Sequence, residues 1–261
     1  EEWIARRIDS PHVLRPADGA QPRTREHLFV AMEYVSGQTL AQWMTDHPRP
    51  SLAQVRDIVG QVARGLQAFH RREMLHLDLR PENVLIDTQG TAKIIDFGAV
   101  QVAGLIEAQP ASGSLEVLGH LHYTAPECLL GEAPTPSADL YALGVLTYQM
   151  LTGRLPYGSQ GAAVRTPADL RRLQYRSALD EHRPIPAWMD AVLERAVQPQ
   201  PHKRQQALTE FVHDLHHPGA AYLRQHRLPL TERHPLVFWR ALSLLLGLAV
   251  VLLLGVVHSL R

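Results

Sequence analysis

The sequence predicts an α+β fold with a little β-structure near its start and a mostly helical body, followed by one transmembrane helix. Three observations predict it. A short, mostly apolar run at 28–35 (LFVAMEYV) is typical of a buried strand. Apolar residues recur at helical spacing through 52–72. Near the C-terminus, the seventeen residues 241–257 include only one polar side chain, Ser243.

The composition is that of a folded protein without a charge bias. The chain has 261 residues, of which 45% are hydrophobic and 20% charged, so it can bury a core and is not a disordered chain. Its 26 acidic and 26 basic residues balance, and we therefore expect no nucleic-acid partner. The single cysteine, Cys128, excludes an internal disulfide framework and a cysteine-cluster zinc site.

A capped helix and a hairpin follow the first strand. Ser51 and Gln54 form a capping-box pattern at the start of the helix predicted over 52–72. Two short β-prone runs, 84–86 and 92–95, flank a DTQG turn and predict a hairpin.

Three further helices are predicted in the second half of the chain. The run 138–151 (ADLYALGVLTYQML) is apolar on nearly all faces, which indicates a central buried helix that stops at Gly153. Helical periodicity also predicts helices over 188–197 and 208–215.

The C-terminal apolar run predicts a transmembrane helix over 236–257. Its uninterrupted part spans roughly 25 Å at ~1.5 Å per residue, close to the thickness of a bilayer core. Phe238 and Trp239 resemble an interfacial aromatic anchor, and arginines precede the run, which places everything before residue 236 in the cytoplasm. A buried core helix is the alternative. We expect a juxtamembrane linker at 218–235, which contains three prolines, and a short tail at 258–261.

Three motifs carry the chemistry. HLDLRPEN occupies 76–83, DFG occupies 96–98, and APE occupies 125–127, with Asp139 twelve residues further on in the predicted buried helix. A lone DFG is more often a turn than a metal site, and a lone His-x-Asp is more often structural. The order and spacing of all three make chance a poor explanation.

Together these motifs resemble the signature of the eukaryotic-type protein kinases, which bacteria also have. The resemblance covers 1–217. It implies a kinase-like bilobal fold, with a partial small lobe at 1–35 and a hinge and mostly helical large lobe at 36–217. It also implies ATP and Mg²⁺ as cofactors and a protein substrate with a serine or threonine acceptor.

The resemblance assigns the catalytic loop residue by residue. Asp78 matches the aspartate that orients the acceptor hydroxyl and accepts its proton. Arg80 stands where a lysine is usual and keeps a cation for the γ-phosphate; a cation at this position favours the serine/threonine class. Asn83 and Asp96 match the two magnesium ligands.

The nucleotide site is assigned in the same way. Met32 matches the gatekeeper position. The segment from Glu33 to Val35 would offer backbone groups to adenine, and Leu85 would pack beneath the adenine ring. Glu1 matches the small-lobe glutamate that pairs with the ATP-anchoring lysine.

No glycine-rich loop or anchoring lysine precedes Glu1. We expect these elements to lie upstream in the natural protein; the alternative is a pseudokinase that never had them. Without them, we expect residues 1–217 to bind Mg-ATP weakly and to transfer no phosphate.

Two departures from the family pattern bear on activity. Leu77 replaces the arginine that often grips a phosphorylated activation loop, and His120 replaces a threonine that commonly contacts the catalytic aspartate. The resemblance also implies a structural ion pair between Glu127 and Arg204.

The predicted function is phosphorylation of protein serine and threonine hydroxyls by a single-pass membrane protein whose kinase domain is cytoplasmic. One alternative is a pseudokinase that serves as a binding module at the membrane. Another is the kinase half of a bifunctional kinase/phosphatase.

Overall fold

The computed structural model describes residues 2–17, 31–102, 121–179, 184–219, 222, 239–240 and 242–247. The chain divides into two compact units, Glu1–His217 and Pro218–Arg261. The first unit has the α+β composition predicted from the sequence, with small β-sheets and a mostly helical body.

Within 2–17 and 31–36 the structure has one short helix, α1 (Glu2–Ala5), and two isolated bridges. Val13 bridges Ile94 in parallel, and Pro16 bridges Met32 in antiparallel orientation. The strand predicted over 28–35 is wrong for 31–35, where only the bridge at Met32 forms; residues 28–30 lie outside the described residues. The physical reason is that the Arg15 amide donates to the Glu33 side chain and not to the Glu33 carbonyl, which would accept it in a continued ladder.

A three-stranded antiparallel sheet follows, in the order β1 (Gly37–Thr39), β3 (Val84–Asp87), β4 (Ala92–Ile94). Strands β3 and β4 form the predicted hairpin, with Val84 opposite Ile94. A Cβ atom on Gly37 would lie 2.1 Å from the Ile86 carbonyl oxygen, so only glycine allows β1 to pair this closely with β3.

A second, two-stranded sheet joins β2 (Met74–Leu75) to β5 (Gln101–Val102) in antiparallel orientation. Strand β2 leads directly into the loop that carries the first motif.

Helix α2 (Leu40–Asp46) leads to the long helix α3 (Leu52–His70). The predicted capping box is confirmed: the Ser51 hydroxyl accepts from the Gln54 amide, and the Gln54 side chain accepts from the Ser51 amide. Helix α3 ends two residues before its predicted end, and its apolar face is buried against the rest of the domain.

The remaining helices build the helical body. They are α4 (Pro126–Leu129), α5 (Pro136–Thr152), α6 (Pro167–Arg172), α7 (Ala187–Ala196) and α8 (Leu208–Asp214), with short 3-10 turns at Pro81–Asn83, Gly158–Ala163 and Pro201–Lys203. Helix α5 is the predicted central helix. Nearly all its side chains are buried, and it ends at Gly153 in the left-handed conformation (φ 69°).

The expected ion pair between Glu127 and Arg204 is present. The Arg204 guanidinium donates two parallel hydrogen bonds of 2.7 Å to the two carboxylate oxygens of Glu127. Arg204 is fully buried, and it also donates to the backbone carbonyls of Gln198, Ser137 and Pro199. These added bonds satisfy a charge that would otherwise be costly to bury.

In the second unit the described residues include Leu242–Gly247, which are helical. The side chains of Leu244, Leu245 and Leu246 are exposed. Among the described residues, no helix has the length and apolar character needed to cross a bilayer. Most of the predicted span 236–257 lies outside the described residues.

Candidate active site

The first motif forms a loop that is held in place by hydrogen bonds to Asp139 of the buried helix α5. Asp139, in the first turn of that helix, is fully buried. Its Oδ2 accepts from the backbone N–H of His76 at 3.0 Å, and its Oδ1 accepts from the backbone N–H of Leu77 at 2.9 Å. One carboxylate therefore holds two consecutive amides of the loop immediately before Asp78.

Leu77 is held in a strained backbone conformation. Its φ is 62°, in the left-handed region, which costs a residue with a side chain roughly 1–2 kcal/mol. The bond from its amide to Asp139 keeps the loop in this conformation and turns the chain sharply before Asp78.

Asp139 is charged although it is buried. Burial by itself would raise the pKa of Asp139, but the hydrogen bond from His70, the neighbouring imidazoles of His70 and His76 and the backbone bond from Leu77 outweigh it, so the pKa is lowered. His70 Nε2 lies 2.8 Å from Asp139 Oδ2. The charged carboxylate can therefore accept from both backbone amides at once.

Asp78 and Asn83 are directly joined. Asn83 Nδ2 donates to the backbone oxygen of Asp78 at 2.9 Å and to its Oδ2 at 2.8 Å. Asn83 is buried, and its amide oxygen accepts no hydrogen bond from the described residues. Since the amide nitrogen is engaged by Asp78, the oxygen is the atom that can serve as a metal ligand.

Arg80 lies beside the same carboxylate. Its Nε is 3.9 Å from Asp78 Oδ2 and 3.8 Å from Glu82 Oε2. The guanidinium is thus close to Asp78 without a direct hydrogen bond from Nε, and it supplies positive charge at the position predicted for the cation beside the base.

Asp96 lies at the same end of the hairpin as Asn83. Asn83 immediately precedes β3, Asp96 follows β4 by two residues, and the Ile95 amide donates to the Asn83 carbonyl at 2.9 Å. Asp96 has φ 67°, a conformation that aspartate tolerates better than most residues. Its Oδ1 accepts from the Gly98 amide at 3.0 Å.

These donor atoms fit Mg²⁺ better than a tightly caged metal. Asp96 offers carboxylate oxygens and Asn83 an amide oxygen, which are hard ligands. No cluster of three or more histidine, cysteine or acidic side chains suited to a metal occurs in the described parts of the chain. Mg²⁺ binds with one or two protein ligands when nucleotide phosphates and water complete its shell.

A cluster of three aromatic rings packs between the HLDLRPEN motif and the DFG motif. Phe97 and His76 are both buried, and Phe69 of α3 lies between them, with ring centroids 5.8 Å from Phe97 and 5.4 Å from His76. The cluster connects the DFG motif to the loop of Asp78 through apolar contacts.

The residues predicted to contact adenine follow the Met32 bridge. Met32 packs against the core, Tyr34 is 92% exposed, and Val35 is half-buried. Leu85, in the middle of β3, is half-buried on the face opposite to the buried Val84 and Ile86.

Glu33 is fixed by two partners. Its Oε1 accepts from Lys93 Nζ at 2.6 Å and from the Arg15 amide at 3.0 Å, while its own amide donates to the Arg15 carbonyl at 2.9 Å. Burial acts to raise the pKa of Glu33, but the bonds from Lys93 and Arg15 outweigh it and the pKa is lowered.

The Lys93–Glu33 pair was missed by sequence reasoning. It connects the segment predicted to bind adenine to β4, the strand that leads to Asp96. The only signal in the sequence is that Lys93 stands three residues before Asp96; nothing in the spacing points to Glu33.

The structure therefore brings together Asp78, Arg80, Asn83 and Asp96. Two residues singled out in the sequence, Glu1 and His120, lie outside the described residues. Their predicted roles stay predictions, as do the roles assigned to Met32, Glu33, Val35 and Leu85.

Comparisons with known proteins agree with this geometry. The model of the protein kinase domain family matches residues 1–217. The sequence is 35% identical over 160 residues to the serine/threonine-protein kinase PknA of Corynebacterium glutamicum, covering 60% of this chain and 34% of that protein. It is 32% identical over 166 residues to PrkC of Bacillus subtilis (62% and 24%), and 36% identical over 134 residues to PknA of Mycobacterium tuberculosis (51% and 30%). The chain thus spans about a quarter to a third of the length of these curated relatives.

Proposed function

This chain belongs to the protein kinase family, and from that premise we propose that it transfers the γ-phosphoryl group of Mg-ATP to serine or threonine hydroxyls of protein substrates. The serine/threonine class is supported by the bacterial relatives, which are named as serine/threonine-protein kinases, and by the cation at Arg80.

One observation carries the proposal: the base and the metal ligands converge at one end of the β3–β4 hairpin. Asp78 accepts a hydrogen bond from Asn83, and Asp96 follows the strand that pairs with β3. Phosphoryl transfer needs positioning and charge neutralisation more than covalent help from the protein. A buried carboxylate, Asp139, supplies the rigidity by fixing the loop before Asp78.

In the proposed reaction the oxygen of the acceptor hydroxyl forms a bond to the γ-phosphorus as the bond from that phosphorus to the β,γ-bridging oxygen breaks. ADP leaves, and the hydroxyl proton passes to the Asp78 carboxylate. Asn83 and Asp96 would hold Mg²⁺, which would neutralise phosphate charge. Arg80 adds a cation next to Asp78.

We also propose that the segment from Glu33 to Val35 binds adenine through its backbone, with Met32 behind it and Leu85 beneath the ring. Support comes from the fixed position of Glu33, which Lys93 and Arg15 hold against the neighbouring strands.

The test uses the protein as its gene encodes it, with radiolabelled γ-phosphate transfer to a generic protein acceptor. Asp78→Asn removes the base, and Asp96→Asn removes a charged metal ligand. Each should lower the transfer rate by about 10²-fold or more. Labelled acceptor should contain phosphoserine or phosphothreonine.

The matched control is Asp87→Asn, at the opposite end of the same hairpin. Asn can keep the turn that Asp87 forms by accepting from the Gln89 and Thr91 amides, so this variant should retain transfer. A near-normal rate in the Asp78 or Asp96 variant would contradict the proposal.

A pseudokinase is the second candidate, and one observation favours it. Leu77 stands where the family usually has an arginine immediately before the catalytic aspartate. Mg-ATP binding by calorimetry without label transfer, unchanged by Asp78→Asn, would establish this function instead.

We further propose that residues 236–257 anchor the protein in a membrane with the kinase domain in the cytoplasm. The support is the apolar run 241–257 and the arginines that precede it.

A further inference from the structure

A charged cavity is lined by residues that lie outside the candidate active site. Its volume is about 370 Å³, and it is lined by Arg6, Arg7, Asp9, Arg72 and Met74. None of these residues belongs to the set assigned to base, metal or adenine. The lining holds three arginines and one acid, so its net charge is positive.

Two separate segments place the arginines. Arg6 and Arg7 follow α1, while Arg72 lies in the turn that follows α3. Met74, the first residue of β2, is 1% exposed and contributes an apolar surface to the cavity. The fold therefore brings arginines from distant parts of the sequence to the lining of one cavity.

Two of the arginines, Arg7 and Arg72, form no ion pair with the described residues. Asp9 pairs with Arg15 at 2.8 Å, a residue outside the lining, so its negative charge is shared. The Arg72 side chain forms no hydrogen bond or ion pair with the described residues. The Arg7 guanidinium lies over the Trp3 ring, 3.9 Å from its centroid. Stacking restricts the guanidinium plane but leaves its N–H edges able to bind an anion.

The chemistry of the lining selects the class of ligand. Guanidinium groups bind phosphate oxygens through paired N–H donors, and several of them around one cavity match a tetrahedral, doubly charged group better than a single carboxylate. We propose that Arg6, Arg7 and Arg72 form a binding site for a phosphoryl dianion. The group can be carried on a serine or threonine side chain or be inorganic phosphate.

This site does not depend on the residue that kinases often use to hold a phosphate, because Leu77 stands at that position. It also does not depend on the proposed phosphoryl transfer, and its test needs no nucleotide.

Calorimetry on the full chain would measure the binding of inorganic phosphate, of a phosphoserine peptide and of the same peptide without phosphate. We expect saturable binding of at least one phosphorylated ligand. Arg6→Gln and Arg72→Gln should each weaken it about tenfold, as expected for the loss of one charge-assisted contact. Asp9→Asn should strengthen it, because the cavity loses its one negative charge.

The matched control is Arg71→Gln. Arg71 is an exposed neighbour of Arg72 in the same turn but does not line the cavity, so this variant should bind within about twofold of the unsubstituted chain. Asp96→Asn should also leave binding unchanged, which separates this site from the candidate active site. Thermal unfolding of each variant checks that the fold is retained.

Tighter binding of the phosphopeptide than of inorganic phosphate would identify a phosphorylated side chain as the ligand; the reverse would identify free phosphate. The proposal is overturned if neither phosphorylated ligand binds. It is equally overturned if Arg71→Gln weakens binding as much as Arg72→Gln, because the arginines would then serve only as a general positive surface at the end of α3.

Discussion

Asp139 shows how much of the site depends on one side chain that never contacts the reacting groups. It accepts from two backbone amides and from His70, and thereby keeps Leu77 in its left-handed conformation. Its negative charge also lies close to His76, whose backbone amide it accepts from. The loop of Asp78 is therefore rigid for an electrostatic reason, and its geometry is sensitive to the protonation of buried groups.

Two buried histidines make stability depend on pH. Burial lowers the pKa of His76, against the opposing charges of Asp139, Asp78 and Asp96. Burial also lowers the pKa of His12, whose Nδ1 is 3.0 Å from the Ala92 carbonyl oxygen. Each group binds a proton more readily in the unfolded chain, so its contribution to stability is complete above the ordinary pKa of 6.5 and is lost as pH falls below it.

We therefore predict that the free energy of unfolding falls as pH is lowered from 6.5 to 5, by up to about 1.4 kcal/mol per pH unit for each neutral histidine. In His76→Phe, which keeps a ring against Phe69, the slope should become shallower while the contribution of His12 remains. Urea unfolding at a series of pH values measures both slopes. An unchanged slope in His76→Phe would show that His76 is not the titrating group.

At the residue scale the sequence motifs predicted which residues form the candidate site. They did not predict the side-chain contacts that hold those residues in place. Asp78, Asn83 and Asp96 could be assigned to one site because all three lie in short motifs that match the kinase signature, and the structure has these motifs at the same end of one hairpin. The contact between Lys93 and Glu33 could not be predicted from the sequence, because these residues are 60 positions apart. They meet because one segment forms bridges at both places, from Val13 to Ile94 and from Pro16 to Met32.

Helix α3 is the element that connects the small sheet to the helical body. Helix α3 packs against β4 and against α5. Its backbone lies close to β4 at Gly65. A Cβ atom there would lie 2.8 Å from the His12 carbonyl oxygen and 2.8 Å from Ile94 Cδ1. The His12 carbonyl oxygen cannot move away without displacing the adjacent residue Val13, which bridges β4 at Ile94.

We predict that Gly65→Ala lowers the free energy of unfolding by about 1–3 kcal/mol, because the added methyl group overpacks this contact. Gly60→Ala, on the same helix, is the matched control. The nearest atom to its Cβ would be a guanidinium nitrogen of Arg64 at 3.7 Å, so the substitution should be neutral or stabilise by up to about 1 kcal/mol. Chemical denaturation measures both, and equal effects would refute the close approach at Gly65.

The four helices predicted within 1–217 end within two residues of their predicted bounds, since apolar residues recur along them at helical spacing. The short helices α1, α2, α4 and α6 were not predicted, because a helix of four to seven residues is too short to show that period. The strand predicted over 28–35 did not form at 31–35. An apolar run indicates that a segment is buried, but a ladder extends only where the amides of the partner segment pair with backbone carbonyls. Here the Arg15 amide donates to the Glu33 side chain instead.

At the scale of the whole molecule, the membrane proposal makes a separate prediction. The full chain should remain with membranes after extraction with alkaline carbonate. Replacing Leu245 and Val250 together by aspartate should release it, because each charge near the middle of a span costs about 2.5–3.5 kcal/mol. Leu228→Asp, in the predicted linker, is the control and should stay bound. Release of the unsubstituted chain by carbonate would contradict the anchor.

The ion pair between Glu127 and Arg204 has a consequence for how the protein is made. The two residues are 77 positions apart. At a synthesis rate of about 5–20 residues per second, Glu127 is made roughly 4–15 seconds before its partner. Throughout that interval burial of the Glu127 carboxylate would leave a charge without its partner, which is costly. We therefore expect the segment around Glu127 in a nascent chain to stay accessible to chaperones and proteases until Arg204 has emerged from the ribosome.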